Sequence, residues 1–265
     1  MKIATLNINS INARLPVLCT WLEQNKPDIL LLQEIKTEFN NFPFWDLQMA
    51  GYEAKIFGQK SYNGVAVLSR TPLAIRAENL PNFTDENARY LEVETNIKNQ
   101  KYIFASIYLP NGNPPKNTPD DTSRFTYKLQ WTDAFLQHAE KLLRSGENII
   151  LGGDFNIMLT PRDVYNPELF AGGALYRPEV WTRINKLMYI GYNDSYHSLY
   201  PETNGYTYWD YGATAFPNDL GLRIDYLFTS PQLTDRLTNC IVDRTFRAQE
   251  KSSDHTVLIA KFKDE

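Results

Sequence analysis

The sequence predicts an α/β fold in which two β-sheets pack together and helices cover their outer faces. Short apolar runs with the length and composition of buried strands recur from one end of the 265 residues to the other. Helical patterns appear between some of these runs in both halves of the chain. Layered sheets with external helices accommodate this order best.

Seven apolar runs are predicted to be strands. They cover residues 3–8, 29–33, 65–69, 102–108, 149–152, 224–228 and 257–262. The length of the chain would fit one large domain or two small ones. Because no linker, repeat or low-complexity tract divides the sequence, we expect a single catalytic domain over residues 1–265.

Three helices are predicted from apolar residues that recur at helical spacing. These stripes cover residues 15–22, 125–143 and 179–189. Lys26-Pro27 ends the first, and Gly146 and Gly191 stop the other two. Residues 110–122 contain four prolines between a strand and the long helix. A loop of that length in a compact domain is usually functional or mobile.

Composition indicates an ordinary globular enzyme of the cytoplasm, with 43% hydrophobic and 22% charged residues. The apolar runs are too short to cross a bilayer, and the N-terminus turns polar at Asn7, so we expect neither a membrane partner nor a signal peptide. Cys19 and Cys240 have no metal-ligand spacing and are predicted to be buried free thiols. A monomer is expected.

The net charge of −4 argues against a surface that binds polyanions everywhere. It is compatible with nucleic acid, because a local basic face can bind phosphates while the remaining surface repels them. Charge alone therefore leaves the class of substrate open.

Polar side chains stand at the ends of the predicted strands. They are Asn7, Glu34, Tyr108, Asp154, Asn156, Asp225, Asp254 and His255. Polar groups at strand ends can converge on one rim, which is the usual place for a site in layered α/β folds. Hard oxygen ligands without cysteine suit one or two Mg²⁺ or Mn²⁺ ions. Such an ion polarises a phosphoryl oxygen while a carboxylate takes a proton from the attacking water.

Each of these residues also has a purely structural explanation. Glu34 alone could be a solvated surface residue, and Asp154-Phe155-Asn156 could be an Asx turn that closes a strand. Asp225 could be a structural partner of Arg223. Together, however, the residues form an ordered series, which makes coincidence a poor explanation.

The series resembles the successive motifs of the exonuclease III type of apurinic/apyrimidinic (AP) endonuclease. The matching segments are Asn7-Ile8-Asn9, Gln33-Glu34, Gly64-Val65-Ala66, Gly153-Asp154-Phe155-Asn156, Tyr206-Thr207-Tyr208-Trp209, Leu222-Arg223-Ile224-Asp225-Tyr226 and Ser253-Asp254-His255. They span nearly the whole chain. The segments at 154–156 and 253–255 alone would indicate only the wider superfamily, which includes deoxyribonuclease I, sphingomyelinases and inositol-phosphate phosphatases. Those at 206–209 and 222–225 narrow it to the DNA-repair branch.

The resemblance implies a deoxyribonuclease I-like, four-layer sandwich of two packed mixed β-sheets flanked by helices. It also implies an Mg²⁺ or Mn²⁺ cofactor, with Glu34 as principal ligand and Asn7 and Asp254 close to the same ion. The implied partner is double-stranded DNA with abasic sites or damaged 3′ ends.

Catalytic roles follow from the same resemblance. Asp154 would orient or deprotonate the water, and Asn156 would hold the phosphate or a second metal. Tyr108 would contact the scissile phosphate or aid the leaving group. His255, supported by Asp225, would bind a phosphate oxygen in the transition state. Asp154, Asn156 and His255 also count among the candidate metal ligands.

Other positions concern the substrate. Asn111 falls where family members touch the phosphate, and Lys128, at the start of the long helix, is a candidate phosphate contact. Tyr208, Leu222 and Ile224 are predicted to form a pocket wall, whereas Trp209 is predicted to lie in the core. Leu222 stands where some relatives carry tryptophan against the extruded sugar, and Ser10 stands where glycine is common.

Three functions are compatible with these motifs. The favoured one is a DNA-repair nuclease in which incision on the 5′ side of abasic sites leads and 3′-end trimming is secondary. The small residues Gly172-Gly173-Ala174 would leave room for the strand to continue past the site. A phosphatase or phosphodiesterase of small or lipid phosphate esters is the alternative. A catalytically silent nucleic-acid-binding module is disfavoured, because the polar residues that a metal nuclease needs are present.

Overall fold

Two six-stranded mixed sheets pack face to face in the computed structural model, which describes residues 1–263. The strands are β1 (Lys2–Asn7), β2 (Ile29–Gln33), β3 (Glu53–Phe57), β4 (Val65–Ser69), β5 (Ala74–Glu78), β6 (Tyr90–Ile97), β7 (Gln100–Tyr108), β8 (Asn148–Asp154), β9 (Asn193–Asp194), β10 (Asp225–Thr229), β11 (Leu237–Asp243) and β12 (Val257–Phe262). The first sheet has the order β11-β12-β1-β2-β4-β3, and the second has the order β5-β6-β7-β8-β10-β9.

The helices lie on the outer faces and in the loops. They are α1 (Ile11–Asn25), α2 (Phe44–Met49), α3 (Ser123–Leu143), α4 (Pro167–Phe170), α5 (Pro178–Tyr189), α6 (Ser195–Leu199), α7 (Pro231–Thr234) and α8 (Arg244–Arg247). The three predicted helices correspond to α1, α3 and α5. None of the helices within residues 1–263 is long and apolar enough to span a membrane.

Three apolar layers hold the sandwich together. Alternate residues of a strand point to opposite faces, so Ile150 of β8 lies between the two sheets while Ile149 faces the outer layer. Trp131 of α3 packs in that outer layer, and Trp21 of α1 packs against the other sheet. Each fully buried apolar side chain of this size contributes about 1.5–3 kcal/mol. The predicted four-layer fold is therefore confirmed.

All seven predicted strands are present, and Trp209 is fully buried as predicted. One cysteine differs from expectation, because Cys240 is buried but Cys19 is only partly so. Cys19 lies on the helix α1, whose buried face is formed by Leu18, Trp21 and Leu22. The prediction of buried thiols was therefore wrong for Cys19.

Parallel pairing aligns the functional strand ends. β1 runs parallel to β2 with Asn7 opposite Gln33, and β7 runs parallel to β8 with Tyr108 opposite Asp154. The two pairs end at the same edge of the sandwich. β10 runs antiparallel to β8 and starts at that edge, so Asp225 is paired with Asp154.

Candidate active site

One cavity of about 470 Å³ collects most of the predicted site residues. Those that line it are Glu34, Tyr108, Asn111, Asp154, Asn156, Tyr208, Leu222, Ile224, Asp254 and His255. Asn7 and Asp225 are fully buried, each hydrogen-bonded to a side chain of the cavity wall. The structure thus gathers groups that are up to about 250 residues apart in sequence.

Asn7 joins the two sheets at this edge. Its Nδ2 donates hydrogen bonds to Oε1 of Glu34 at 2.8 Å and to Oδ2 of Asp154 at 2.9 Å. Its Oδ1 accepts from the backbone N–H of Asn9 at 3.1 Å. The amide therefore holds two carboxylates side by side, which is costly unless positive charge balances them.

His255 stands between two aspartates. Its Nδ1 lies 2.8 Å from Oδ2 of Asp225, and its Nε2 lies 3.8 Å from Oδ2 of Asp154. Thr207 donates to the same Oδ2 of Asp225 at 2.6 Å. Asp225 and Thr207 thereby fix the imidazole so that Nε2 is directed towards Asp154.

This arrangement sets the charge state of the pair. Burial alone would lower the pKa of His255, but Asp225, through its charge and hydrogen bond, raises it to about 10 together with Asp154 and Asp254. Burial raises the pKa of Asp154 to about 7, which the positive charge of His255 only partly offsets. The imidazole is therefore a cation at neutral pH, and Asp154 is a carboxylate close to its titration point.

Glu34 has a second, cationic neighbour. Burial would raise the pKa of Glu34, but Lys36 and the hydrogen bond from Asn7 lower it below the usual value. Nζ of Lys36 lies 2.8 Å from Oε2 of Glu34 and donates to Oδ1 of Asn9 at 2.6 Å. Nδ2 of Asn9 donates in turn to Oδ1 of Asp254 at 3.0 Å.

The residues present fit a divalent cation. Four carboxylates, from Glu34, Asp154, Asp225 and Asp254, meet at this edge, where Lys36 pairs with Glu34 and His255 pairs with Asp225. Ligand atoms of Asp154, Asp225 and His255 lie within 4.8 Å of one another. Nδ1 of His255 is already paired with Asp225, however, and imidazole suits softer metals than Mg²⁺. The hard oxygens of Glu34 and Asp254 suit such an ion better.

Amides and a phenol complete the polar wall. Nδ2 of Asn111 donates to Oδ1 of Asn156 at 3.1 Å, and Nδ2 of Asn156 donates to the carbonyl of Leu109 at 3.0 Å. Burial, followed by the charges of Glu34 and Asp154, raises the pKa of Tyr108 well above its usual value. Tyr108 is therefore a hydrogen-bond donor at neutral pH.

An apolar wall faces these polar groups. Leu222 and Ile224 are 5% and 3% exposed and pack with the partly buried Tyr208. Isolated bridges pair Tyr208 with Leu222 and with His255, whose ring centroid lies 5.0 Å from that of Tyr208. Apolar and ionic surfaces thus meet within one cavity at His255.

Comparison with known proteins identifies the family of the chain. A model of the endonuclease/exonuclease/phosphatase family matches residues 4–255. The chain belongs to this family. Within it, the chain is 28% identical to exodeoxyribonuclease III of Haemophilus influenzae, over 99% of this chain and 100% of that protein.

Solved structures support the same family assignment. An AP endonuclease from Archaeoglobus fulgidus superimposes with a TM-score of 0.91 at 31% identity, over 100% of both chains. A 3′-5′ exonuclease from Neisseria meningitidis gives a TM-score of 0.89 at 35% identity, over 99% of both chains. A 3′ phosphatase from Neisseria, bound to a product DNA hairpin, gives 0.89 at 34% identity over 99% of both chains. The chain is thus a nuclease of the exonuclease III type, and divalent-metal dependence is general for its family.

Within this family fold, one sequence expectation needs correction. Lys128 was expected to contact phosphate, but its side chain is fully buried and its ammonium donates only to backbone carbonyls. The candidate metal role of His255 stays a prediction: its ring lies within ligand distance of Asp154 and Asp225, and its Nδ1 is paired with Asp225. The purely structural explanation of Asp225 as a partner of Arg223 does not hold, because Arg223 pairs with Asp163 and Asp194.

Sequence reasoning missed three supporting residues. Lys36 and Asn9 connect Glu34 to Asp254, and Thr207 holds Asp225. Lys36 lies two residues after Glu34, and Asn9 closes the opening Asn-x-Asn motif. Both residues could therefore have been recognised from the sequence. Thr207 could be recognised only from the contact itself.

Proposed function

We propose that this chain is a magnesium-dependent DNA-repair phosphodiesterase that cuts the backbone on the 5′ side of abasic sites. Trimming of damaged 3′ ends, including removal of 3′-phosphate, is its secondary activity. The single observation that carries the proposal is the junction within one cavity of hydrolytic groups and an apolar wall. The hydrolytic groups suit any phosphodiester, and the apolar wall suits a sugar that carries no base.

The residues divide the reaction among them. The imidazolium of His255, the phenol of Tyr108 and the amide of Asn111 bind the oxygens of the scissile phosphate and stabilise charge that develops there. Asp154 takes a proton from the attacking water, whose oxygen then bonds to phosphorus. The bond from phosphorus to the 3′-oxygen of the preceding nucleotide breaks, and that oxygen takes a proton from solvent water, which leaves a 3′-hydroxyl.

Metal chemistry belongs beside Glu34. Glu34 and Asp254 would hold Mg²⁺, with Asn7 orienting Glu34. When bound, the ion supplies Lewis-acid polarisation of a phosphate oxygen and neutralises charge on the leaving oxygen. The remaining work, which is binding, orientation and proton transfer, falls to the chain.

Selection of abasic sites rests on the apolar wall. A missing base lowers the cost of turning the sugar out of the duplex. Tyr208, Leu222 and Ile224 would pack against that sugar, and Phe170 and Leu175 of the same apolar cluster also line the cavity. The wall offers a baseless sugar apolar contact and narrows the space left for a base.

Two cationic clefts support duplex DNA as the partner. One, of about 710 Å³, shares Tyr108 and Asn111 with the central cavity and carries Arg89, Lys116 and Arg124. The other, of about 390 Å³, is lined in part by Arg14, Tyr211, Arg247 and Lys251. Tyr211 and Asn9 connect this second cleft to Asp254, since Nδ2 of Asn9 lies 3.2 Å from the hydroxyl of Tyr211. The two clefts therefore offer local positive charge to phosphates on both sides of the cut, although the whole chain is acidic.

We further infer a monomeric, cytoplasmic enzyme with one catalytic domain. The family match over residues 4–255 and the two free cysteines support this inference. Light scattering of the purified protein at micromolar concentration should give the mass of one chain.

Labelled duplexes test the function. Purified protein is given an internal abasic site, a recessed 3′ end and a 3′-phosphate terminus in separate reactions with Mg²⁺. We expect incision 5′ to the abasic site to be fastest. Cleavage of small phosphate esters without cleavage of any duplex would favour the alternative, a phosphatase or phosphodiesterase of small or lipid substrates.

A further inference from the structure

The ammonium of Lys128 connects three segments that frame the cavity. Lys128 lies on α3, and its side chain is fully buried. Its Nζ donates to the carbonyls of Asn156 at 2.7 Å, Ala174 at 2.9 Å and Asn111 at 3.0 Å. An ammonium has three N–H donors, so all three are used.

Each acceptor belongs to a different wall of the site. Asn111 follows β7, Asn156 follows β8, and Ala174 lies in the loop after α4, next to Leu175 in the cavity wall. Asn156 has a left-handed backbone, with φ of 50°, which turns its carbonyl towards Lys128 and leaves its side chain bonded to Asn111. The three segments have no common strand, so the ammonium is a direct link among all of them.

The lysine stem shapes the loop after β7 as well. Gly112 has φ of +82°, and a Cβ there would lie 2.7 Å from Cδ of Lys128. Glycine is therefore required at this position for two reasons, the backbone conformation and the space already taken by the stem.

Burial of an ammonium among neutral dipoles is expensive, since it loses its water. A methionine of similar length would fill the same space without that cost. This cost in free energy is explained if the position needs hydrogen-bond donors rather than side-chain volume.

We infer that Lys128 is a positioning residue that fixes the phosphate-binding amides and the sugar-facing loop relative to each other. This inference rests on the proposed function, because it assigns Asn111 to the phosphate and Leu175 to the sugar. Lys128 itself touches neither. Misplacement of reacting groups by about 1 Å can cost 10²-fold in rate, so a link of this kind affects turnover.

The test compares Lys128→Met, which keeps the stem and removes the donors, with Lys128→Arg, which restores charge and donors. The matched control is Tyr192→Phe, which removes a buried hydrogen bond to the carbonyl of Ala139 on the same helix, away from the cavity. We expect kcat for abasic incision to fall roughly 10- to 100-fold in Lys128→Met, with KM little changed. Lys128→Arg should recover part of it, and Tyr192→Phe should lower only the melting temperature.

A second readout does not need the proposed activity. Amide hydrogen exchange within residues 109–113, 156–159 and 171–176 should accelerate together in Lys128→Met and stay unchanged in Tyr192→Phe. If Lys128→Met does not fold, Lys128→Gln, which keeps two N–H donors, is measured in the same way and should show the same changes in smaller degree.

Wild-type kcat and unchanged exchange in a folded Lys128→Met or Lys128→Gln would overturn the inference. If the wild-type protein cuts no duplex at all, the proposed function fails instead. The exchange result then still decides whether Lys128 links the three segments.

Discussion

At the scale of single residues, the site works because two sheets bring opposite kinds of charge to one edge. Asn7 donates to carboxylates from both sheets, and Asp225 stabilises the protonated imidazole of His255. Each polar group at the centre is therefore oriented by another before any substrate arrives, which lowers the cost of reorganisation during reaction.

The first prediction concerns the removal of the general base, Asp154. Asp154→Asn keeps the shape and the hydrogen bond to the backbone N–H of Asn156 but cannot take a proton. We expect turnover to fall by roughly 10²-fold or more, with DNA binding retained. Asp133→Asn, which removes a surface carboxylate on α3, is the control. Near-normal turnover of Asp154→Asn in a single-turnover assay would remove Asp154 from the mechanism.

Much of the site could be predicted from sequence because its groups follow strands directly. Glu34 and Asp154 are identified by the strand before them, and His255 by its motif. Lys128 was misplaced because sequence does not show whether a lysine near a helix start points outwards or inwards. Asn9 and Thr207 lie in recognisable motifs, but their links to Asp254 and Asp225 depend on contacts across the fold that the motifs do not specify.

At the scale of elements, the positions of the strands that were not predicted explain why the sequence did not reveal them. β3 and β11 are the edges of one sheet, and β5 and β9 are the edges of the other. Edge strands have one neighbour and exposed side chains, so they lack the apolar runs that mark central strands. β6 alternates apolar and charged residues because Glu92 faces a polar cluster with Arg76 and His138.

The loop after α4 is expected to control which DNA activity leads. Gly173 lies between Phe170 and Leu175, which both line the cavity, and a Cβ there would lie 3.0 Å from the carbonyl of Phe170. Gly173→His should therefore crowd the sugar-facing loop and slow internal abasic incision more than 3′-end trimming. The control is Leu169→Ala, an exposed change on α4. Equal slowing of both activities in paired assays would contradict this account of the loop.

A buried ion cluster anchors β10 on the side away from the cavity. The guanidinium of Arg223 pairs with Asp163 and Asp194, both at 2.6 Å and almost fully buried. Arg223→Ala would leave two carboxylates buried without their cation, which should cost about 3–5 kcal/mol of unfolding free energy. Urea unfolding measures this loss, and Arg162→Ala, whose pair with Glu202 is exposed, should change it by less than about 1 kcal/mol.

At the scale of the whole molecule, an acidic protein is expected to bind a polyanion through local charge. In the proposed complex, the cations of the two clefts would face phosphates while most of the surface would repel them. Binding to an abasic duplex should weaken linearly in a log–log plot against salt, with a slope of about −0.9 for each phosphate neutralised. Fluorescence anisotropy over a salt series measures the slope. A flat response would indicate a small-molecule substrate.

The central claim is metal-centred hydrolysis on the 5′ side of an abasic site. The most direct measurement is the single-turnover rate of that incision against Mg²⁺ concentration, for the wild type and for Glu34→Gln, with Glu53→Gln as an exposed control. We predict no cleavage in chelator, recovery with Mg²⁺, and a higher half-saturating Mg²⁺ concentration in Glu34→Gln alone. Normal incision by the chelated wild-type enzyme, or an identical Mg²⁺ dependence in Glu34→Gln, would contradict the account.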